Sequence, residues 1–386
     1  MPSPYASPFR PPYRSVTSAA SAIADAVTTG GFRAGWSVVR RMPERTAYNL
    51  FDAAAEMVHY RDGRDVQQLR RNYARVRPEL SRSALEVLVL QGVQSYLRYW
   101  CEAFRLPELS HGQIRERMRL DNDAQVRAIL ADGRPWIGFL GHLGNWDLAG
   151  AWSEIALAHV VTVAERLKPE EVFEEFLRFR EGLGMRILPL TGGGNVFGEL
   201  RSVLAEGRPL LMPLLADRDL TRHGVRVQLC GHEASVAVGP AALAVATGAP
   251  LFPVSVHYEP APELRGRWRT VATIHDEVVD PGVGTTRERV AAMSQGCADA
   301  LGAAIREHTQ DWHMMQKVFT ADLDDRARDG ASSRGASDRG ASDGQDVDGG
   351  AFGRRPAGLR EGPRGRSLRG PHLTTARDPR PPRTAT

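Results

Sequence analysis

The chain has 386 residues, enough for one large or two ordinary domains. Apolar residues make up 42% and charged residues 25%, a globular balance that excludes a wholly disordered chain. A net charge of +4 is too small to mark a nucleic-acid binder, but it favours anionic partners such as phospholipid surfaces or phosphorylated substrates.

Cys101, Cys230 and Cys297 are widely spaced and form no CxxC, so neither a disulfide framework nor a zinc module is expected, and a reducing cytoplasm fits. Lys occurs only at Lys168 and Lys317, and nearly all positive charge is Arg. The start, MPSPYASPFRPPYR, lacks the apolar core of a secretory signal. No run of roughly 18 apolar residues predicts a membrane-spanning helix.

Residues 1–16 are rich in Pro, Ser and Tyr and are expected to be flexible. Residues 17–131 are expected to form an all-helical region. Trp36, Val39, Leu50, Phe51, Ala54, Met57 and Val58 recur near helical spacing, with Pro43 as a helix start and Gly63 as a break. A longer helix is predicted from Ser81 to about Arg105. Arg33, Arg40, Arg41, Arg45, Arg64, Arg70, Arg71 and Arg75 make this region basic. Its aromatics Phe32, Trp36, Phe51 and Tyr60 fit a surface lying in lipid headgroups and equally fit packing on the core.

Residues 132–323 change texture. Strands are predicted at Trp136–Leu140, Val160–Ala164, Met185–Leu190, Leu210–Leu215, Leu251–Tyr258 and Trp268–Ile274. Helices are predicted at Trp146–Ala158, Glu170–Glu181, Val196–Ala205, Pro240–Thr247 and about Thr286–Glu307. The alternation argues an α/β fold with a central, mostly parallel sheet flanked by helices. Residues 324–386, with their RGASD near-repeat and Arg-rich end, read as a disordered low-complexity tail.

The chemistry concentrates in Trp136-Ile-Gly-Phe-Leu-Gly-His-Leu-Gly-Asn-Trp-Asp147. His142 follows an apolar strand, Asn145 is placed to cap the next helix, and Asp147 falls in its first turn. In doubly wound sheets the ligand crevice lies at the carboxyl ends of strands. Continuous helix over five residues turns roughly 500°, so His142 and Asp147 meet only if a turn, which Gly144 permits, intervenes. A carboxylate on one ring nitrogen fixes the tautomer and makes the other a better proton acceptor, which suits deprotonation of an attacking hydroxyl. The plainer alternative is a capping Asp beside a space-filling His. The triplet Gly192-Gly-Gly194 lacks the Lys-Ser/Thr of a P-loop and reads as a turn. His111, His232 and His257 show no metal spacing, and His308 and His313 beside Trp312 read as structural.

This segment resembles the HxxxxD block of the lysophospholipid-type (glycerolipid) acyltransferases, in the lauroyl/myristoyl branch that builds lipid A. Further blocks resemble the actinobacterial members that acylate phosphatidylinositol mannosides. They are Gln68-Leu-Arg-Arg-Asn-Tyr-Ala-Arg-Val76, Val163-Ala-Glu-Arg-Leu-Lys-Pro169, Gly182-Leu-Gly-Met-Arg-Ile-Leu-Pro-Leu-Thr-Gly-Gly193, Leu215-Ala-Asp-Arg-Asp-Leu220 and Asp311-Trp-His-Met-Met-Gln316. The resemblance spans about Gly31 to Leu323.

It implies transfer of a fatty acyl chain from acyl-CoA to the 6-hydroxyl of a mannose on phosphatidylinositol mannoside, with no metal, no other cofactor and no nucleic acid. It implies catalytic roles for His142 as base, for Asp147 in orienting the catalytic loop, and for Asp217 in either supporting the imidazole or positioning the acceptor. The mannoside-acylating members often carry Glu at the Asp217 position, and the shorter Asp calls for either a closer backbone or a weaker contact. His142, Arg180 and His223 are implied contacts of acyl-CoA, while a family Arg contact is Ala246 here. Arg166, Arg218 and Arg222, at strand ends, are candidates for the anionic acceptor or phosphate, with surface salt bridges the competing reading. The expected location is peripheral, on the cytoplasmic face of the cell membrane, beside anionic lipid. Three other readings stay open: a different glycolipid acceptor such as a lipid A-like one, a lipid hydrolase using the same His–Asp pair, and a non-enzymatic binder of lipid or nucleic acid acting through the tail.

Overall fold

Pro43 begins α1 (Glu44–Arg61), which ends at Asp62 in the left-handed region, φ 46°. Gly63 then opens α2 (Arg64–Val76), the break its sequence predicts. The Ser81 hydroxyl caps α3 (Arg82–Arg105) by accepting the Ala84 N–H at 3.3 Å. This is a computed structural model, and it describes residues 35–164, 170–190, 195–219, 223–264 and 268–323. The expected flexible start and disordered tail lie outside the described residues, as do Phe32, Arg166, Gly192 to Gly194 and Arg222.

Trp36 packs inward. Its indole N–H reaches the Phe104 carbonyl at 2.9 Å, and its ring meets Phe104, Phe176 and Phe179. Phe51 is half-buried against Phe104, so these two aromatics serve the core. Leu50, Met57, Val58 and Tyr60 on α1 remain exposed.

The helical region continues through α4 (His111–Glu116) and then yields to β1 (Met118–Asp121), a strand inside the segment expected to be wholly helical. Beyond it come α5 (Ala124–Ala131), β2 (Trp136–Leu140), α6 (Trp146–Ala156), β3 (His159–Ala164), α7 (Glu170–Gly182) and β4 (Arg186–Pro189). Next are α8 (Val196–Ala205), β5 (Leu210–Leu215), a hairpin of β6 (Val225–Leu229) and β7 (His232–Val236), and α9 (Gly239–Thr247). Finally β8 (Leu251–Pro260), β9 (Trp268–Ile274) and α10 (Thr286–Glu307) complete the described fold.

Seven strands form the main sheet, in the order β1-β9-β8-β2-β5-β3-β4. Strands β8, β2, β5, β3 and β4 run parallel, while β9 turns back antiparallel to β8 and β1 pairs parallel to β9. β2 is covered on both faces, with all five residues buried, as its uninterrupted apolar run requires. Each side chain as deeply buried as Ile137 or Phe139 contributes about 1.5–3 kcal/mol. β2 and β5 therefore form a rigid platform whose carboxyl ends point the same way.

Candidate active site

The register of β2 on β5 builds the site. Leu140 pairs with Leu215, and the ladder runs one step further through the Ala216 N–H to the Leu140 carbonyl at 2.8 Å. Two residues past each paired leucine stand His142 and Asp217. The His142 ring Nδ1 lies 2.5 Å from Asp217 Oδ1, and the His142 backbone N–H donates to Asp217 Oδ2 at 2.8 Å. That second bond is the close backbone a short Asp needs. Any Cβ on Gly141 would approach Asp217 Oδ2 to 3.3 Å, so glycine keeps the two loops together.

Asp217 is 1% exposed, while the His142 side chain is 20% exposed. Burial alone would raise the Asp217 carboxyl. The charge and two bonds of His142, with the Trp312 indole bond, outweigh it and hold the carboxyl below its usual range. An ionised carboxylate only accepts, so Nδ1 donates to it, and whenever the ring is neutral the lone pair lies on Nε2. Among the described residues no hydrogen bond engages that nitrogen.

Asp147 is not on that ring. Gly144 supplies the expected turn, at φ +53° where a Cβ would meet the Val256 backbone at 2.9 Å. Asn145 caps α6 through the Leu148 N–H at 2.9 Å and donates to Glu102 Oε2 at 2.7 Å. The helix then carries Asp147 inward, where it is 2% exposed and bonded by Arg180 and Tyr99. Burial, with the Asp147 charge beside it, holds the Tyr99 phenol well above its ordinary value, so it remains a donor. The turn that a His142–Asp147 contact would need is present, but the ring meets Asp217, one of the two roles expected for that residue, while Asp147 anchors the first turn of the helix below. Arg180, expected to meet acyl-CoA, spends its Nε and one Nη on Asp147.

The block Asp311-Trp-His-Met-Met-Gln316, whose His313 the sequence marks only as structural, straps the catalytic loop. Gly144 N–H donates to the Asp311 carbonyl at 2.9 Å and His313 N–H to the His142 carbonyl at 2.8 Å. Asp311 and His313 themselves are buried around Ser95, whose hydroxyl donates to Asp311 Oδ1 at 2.6 Å and accepts from His313 Nε2 at 3.0 Å. Burial, followed by the His142 and Arg98 charges, pushes the His313 imidazole down to about 3, so it is neutral and structural.

Of the remaining candidates, Arg218 is half-buried directly after Asp217, and His223 is exposed a few residues beyond. His257 stacks on His308 at 3.7 Å. No group of three His, Cys, Asp or Glu among the described residues is arranged to hold a metal. An apolar cavity lies between the sheet and α6, lined by Leu140, Trp146, Gly150, Met185, Leu215 and Val256, with Asp147 and Arg180 as its charged wall. No described helix is long and apolar enough to cross a membrane.

Sequence comparison gives these features a family. The profile of the bacterial lipid A biosynthesis acyltransferases matches residues 29–321. The phosphatidylinositol mannoside acyltransferase of Mycolicibacterium smegmatis is 40% identical over 303 residues, covering 78% of this chain and 94% of that protein. The protein of the same name from Mycobacterium tuberculosis is 37% identical over 318 residues, covering 81% and 95%. The chain belongs to the bacterial lipid A biosynthesis acyltransferase family, and its chemistry is acyl transfer in lipid biosynthesis.

Proposed function

We propose that this enzyme moves a fatty acyl chain from acyl-CoA to the 6-hydroxyl of a mannose on a phosphatidylinositol mannoside, at the cytoplasmic face of the membrane. The observation that carries the reading is the His142 ring: Nδ1 is locked on a buried carboxylate at 2.5 Å, and Nε2 is free to take a proton. His142 Nε2 accepts the mannose hydroxyl proton, and the oxygen attacks the thioester carbonyl. The carbon–sulfur bond breaks, and the proton passes from the imidazolium to the departing CoA thiolate. No covalent acyl-enzyme is needed.

The acyl chain is assigned to the apolar cavity beside the loop, whose walls Leu140 and Leu215 lead directly to His142 and Asp217. Arg218 and His223 are assigned to the phosphates of CoA and the inositol phosphate headgroup, and Arg166 and Arg222 keep that assignment from their place in the sequence alone. The acceptor assignment is supported by the two mycobacterial relatives, whose names give phosphatidylinositol mannoside as the lipid they acylate. The exposed Leu50, Met57, Val58 and Tyr60 on α1, in a basic region, support shallow docking on anionic lipid.

The test is incubation of purified protein with palmitoyl-CoA and purified phosphatidylinositol mannosides, followed by tandem mass spectrometry. One added palmitoyl ester on a mannose O6 is the expected product. Free palmitate without an acylated lipid, or an ester elsewhere on the acceptor, overturns the assignment.

A further inference from the structure

Trp312 is 0% exposed, and its indole N–H ends 2.9 Å from Asp217 Oδ2. That oxygen also accepts the His142 backbone N–H, leaving Oδ1 for the imidazole. A carboxylate held by donors on one oxygen cannot swing about its Cβ–Cγ bond without losing them. The bond is not a by-product of burying tryptophan in this molecule, since the buried indole N–H groups of Trp136 and Trp146 have no partner. We propose that Trp312 is a positioning residue for the acyl transfer, fixing the Asp217 carboxylate so that Oδ1 stays on His142 Nδ1.

The placement of Trp312 is itself enforced from the N-terminal helices. The Tyr73 hydroxyl on α2 donates to the Trp312 carbonyl at 3.0 Å, and Asn72 Nδ2 donates to the Met314 and Gln316 carbonyls at 2.7 and 3.0 Å. Gly92 on α3 leaves room for that hydroxyl, which any Cβ there would overlap. Leu143 and Trp312 also form an antiparallel bridge, so the strap and the catalytic loop share backbone as well as side-chain bonds. A helical region without catalytic groups of its own thereby sets the geometry of the base. The inference rests on reading His142 as that base.

Loss of the indole N–H has a defined sign. The titratable and charged groups around it are Asp217 and Arg218 after β5, His142 after β2, Asp311 and His313 on its own segment, Tyr73 on α2 and Arg98 on α3. With one donor fewer, the Asp217 carboxylate attracts a proton on His142 more strongly. Protonated, inactive enzyme then persists to higher pH.

The experiment measures kcat, KM and the pH dependence of kcat/KM for W312F, for protein carrying 3-benzothienylalanine at position 312, and for H142A. The sulfur isostere keeps the ring shape and removes only the N–H, so it answers the question even if W312F does not fold. The expected result is a fall in kcat of about ten- to hundredfold, the worth of a hydrogen bond to a charged group. It is accompanied by KM within about twofold and by an acid limb displaced to higher pH. Unchanged kcat, or a fall in kcat with no displacement of the acid limb, overturns the proposal while an inactive H142A leaves the base assignment standing. An active, folded H142A overturns that assignment, and this inference with it.

Discussion

Arg180 closes on Asp147 from the neighbouring helix, Nε to Oδ1 at 2.7 Å and Nη2 to Oδ2 at 3.2 Å, with the Tyr99 hydroxyl adding a third bond at 2.8 Å. The acidic residue of the HxxxxD motif is therefore satisfied below the catalytic loop, 2% exposed, and its carboxylate ties α6 to α7. Removing one member of such a pair strands a buried charge. R180M is expected to lower unfolding free energy by about 3–5 kcal/mol in urea titrations, and D147N/R180M to recover part of it. A stable R180M whose KM for acyl-CoA rises would instead return Arg180 to the role of a CoA contact.

The depressed Asp217 carboxyl makes stability depend on acid in a definite direction. Its folded value lies below the unfolded value of about 3.9, so its contribution is complete above that pH and is lost as pH falls through the lower folded value. Urea titrations of D217N are therefore expected to show a shallower loss of stability than wild type below about pH 4. An identical slope would mean that the carboxyl is not held low.

Gly150 and Met185 limit the apolar cavity together, and a Cβ at position 150 would come within 2.7 Å of the Met185 sulfur. G150V is expected to shift preference toward shorter acyl-CoA, changing the ratio of kcat/KM for two chain lengths by roughly tenfold, and M185A to shift it the other way. Equal ratios in all three proteins would separate this cavity from the acyl chain.

Leu50 and Met57 share the outward face of α1, seven residues apart and 50% and 52% exposed. L50E/M57E is expected to reduce co-sedimentation with phosphatidylinositol-rich vesicles by about tenfold or more, given the apolar burial each side chain supplies. Activity on detergent-dispersed acceptor is expected to stay at the wild-type level. Unaltered sedimentation would move the docking surface elsewhere.

The elements most legible in the sequence are those whose local pattern and tertiary fate agree. Trp136–Leu140 and Leu210–Leu215 are continuous apolar runs, and both are central parallel strands. β1 escapes sequence reading because Met118–Asp121 is an edge strand that exposes charge. Arg119 bonds Asp121 and Glu259 there, and pairing with β9 makes it a strand. The β6–β7 hairpin is hidden because its two-residue turn is Cys230-Gly231, with Cys230 at φ 53° where Asn or Asp is usual.

Within the site, His142 is readable from its place at a strand end. Its partner is reachable only through the family resemblance, which singles out Asp217; spacing along the chain points to Asp147, whereas the sheet register delivers Asp217 from 75 residues away. Trp312 lies in a recognisable block, yet only the tertiary fold turns its N–H onto Asp217.

The most direct measurement is single-turnover acyl transfer from palmitoyl-CoA to phosphatidylinositol mannoside by H142A, with circular dichroism and thermal melting on the same preparation. A His142 that serves as general base predicts a rate roughly 10²–10⁴-fold below wild type in a protein that melts normally. A folded H142A that transfers within a few-fold of the wild-type rate would contradict it.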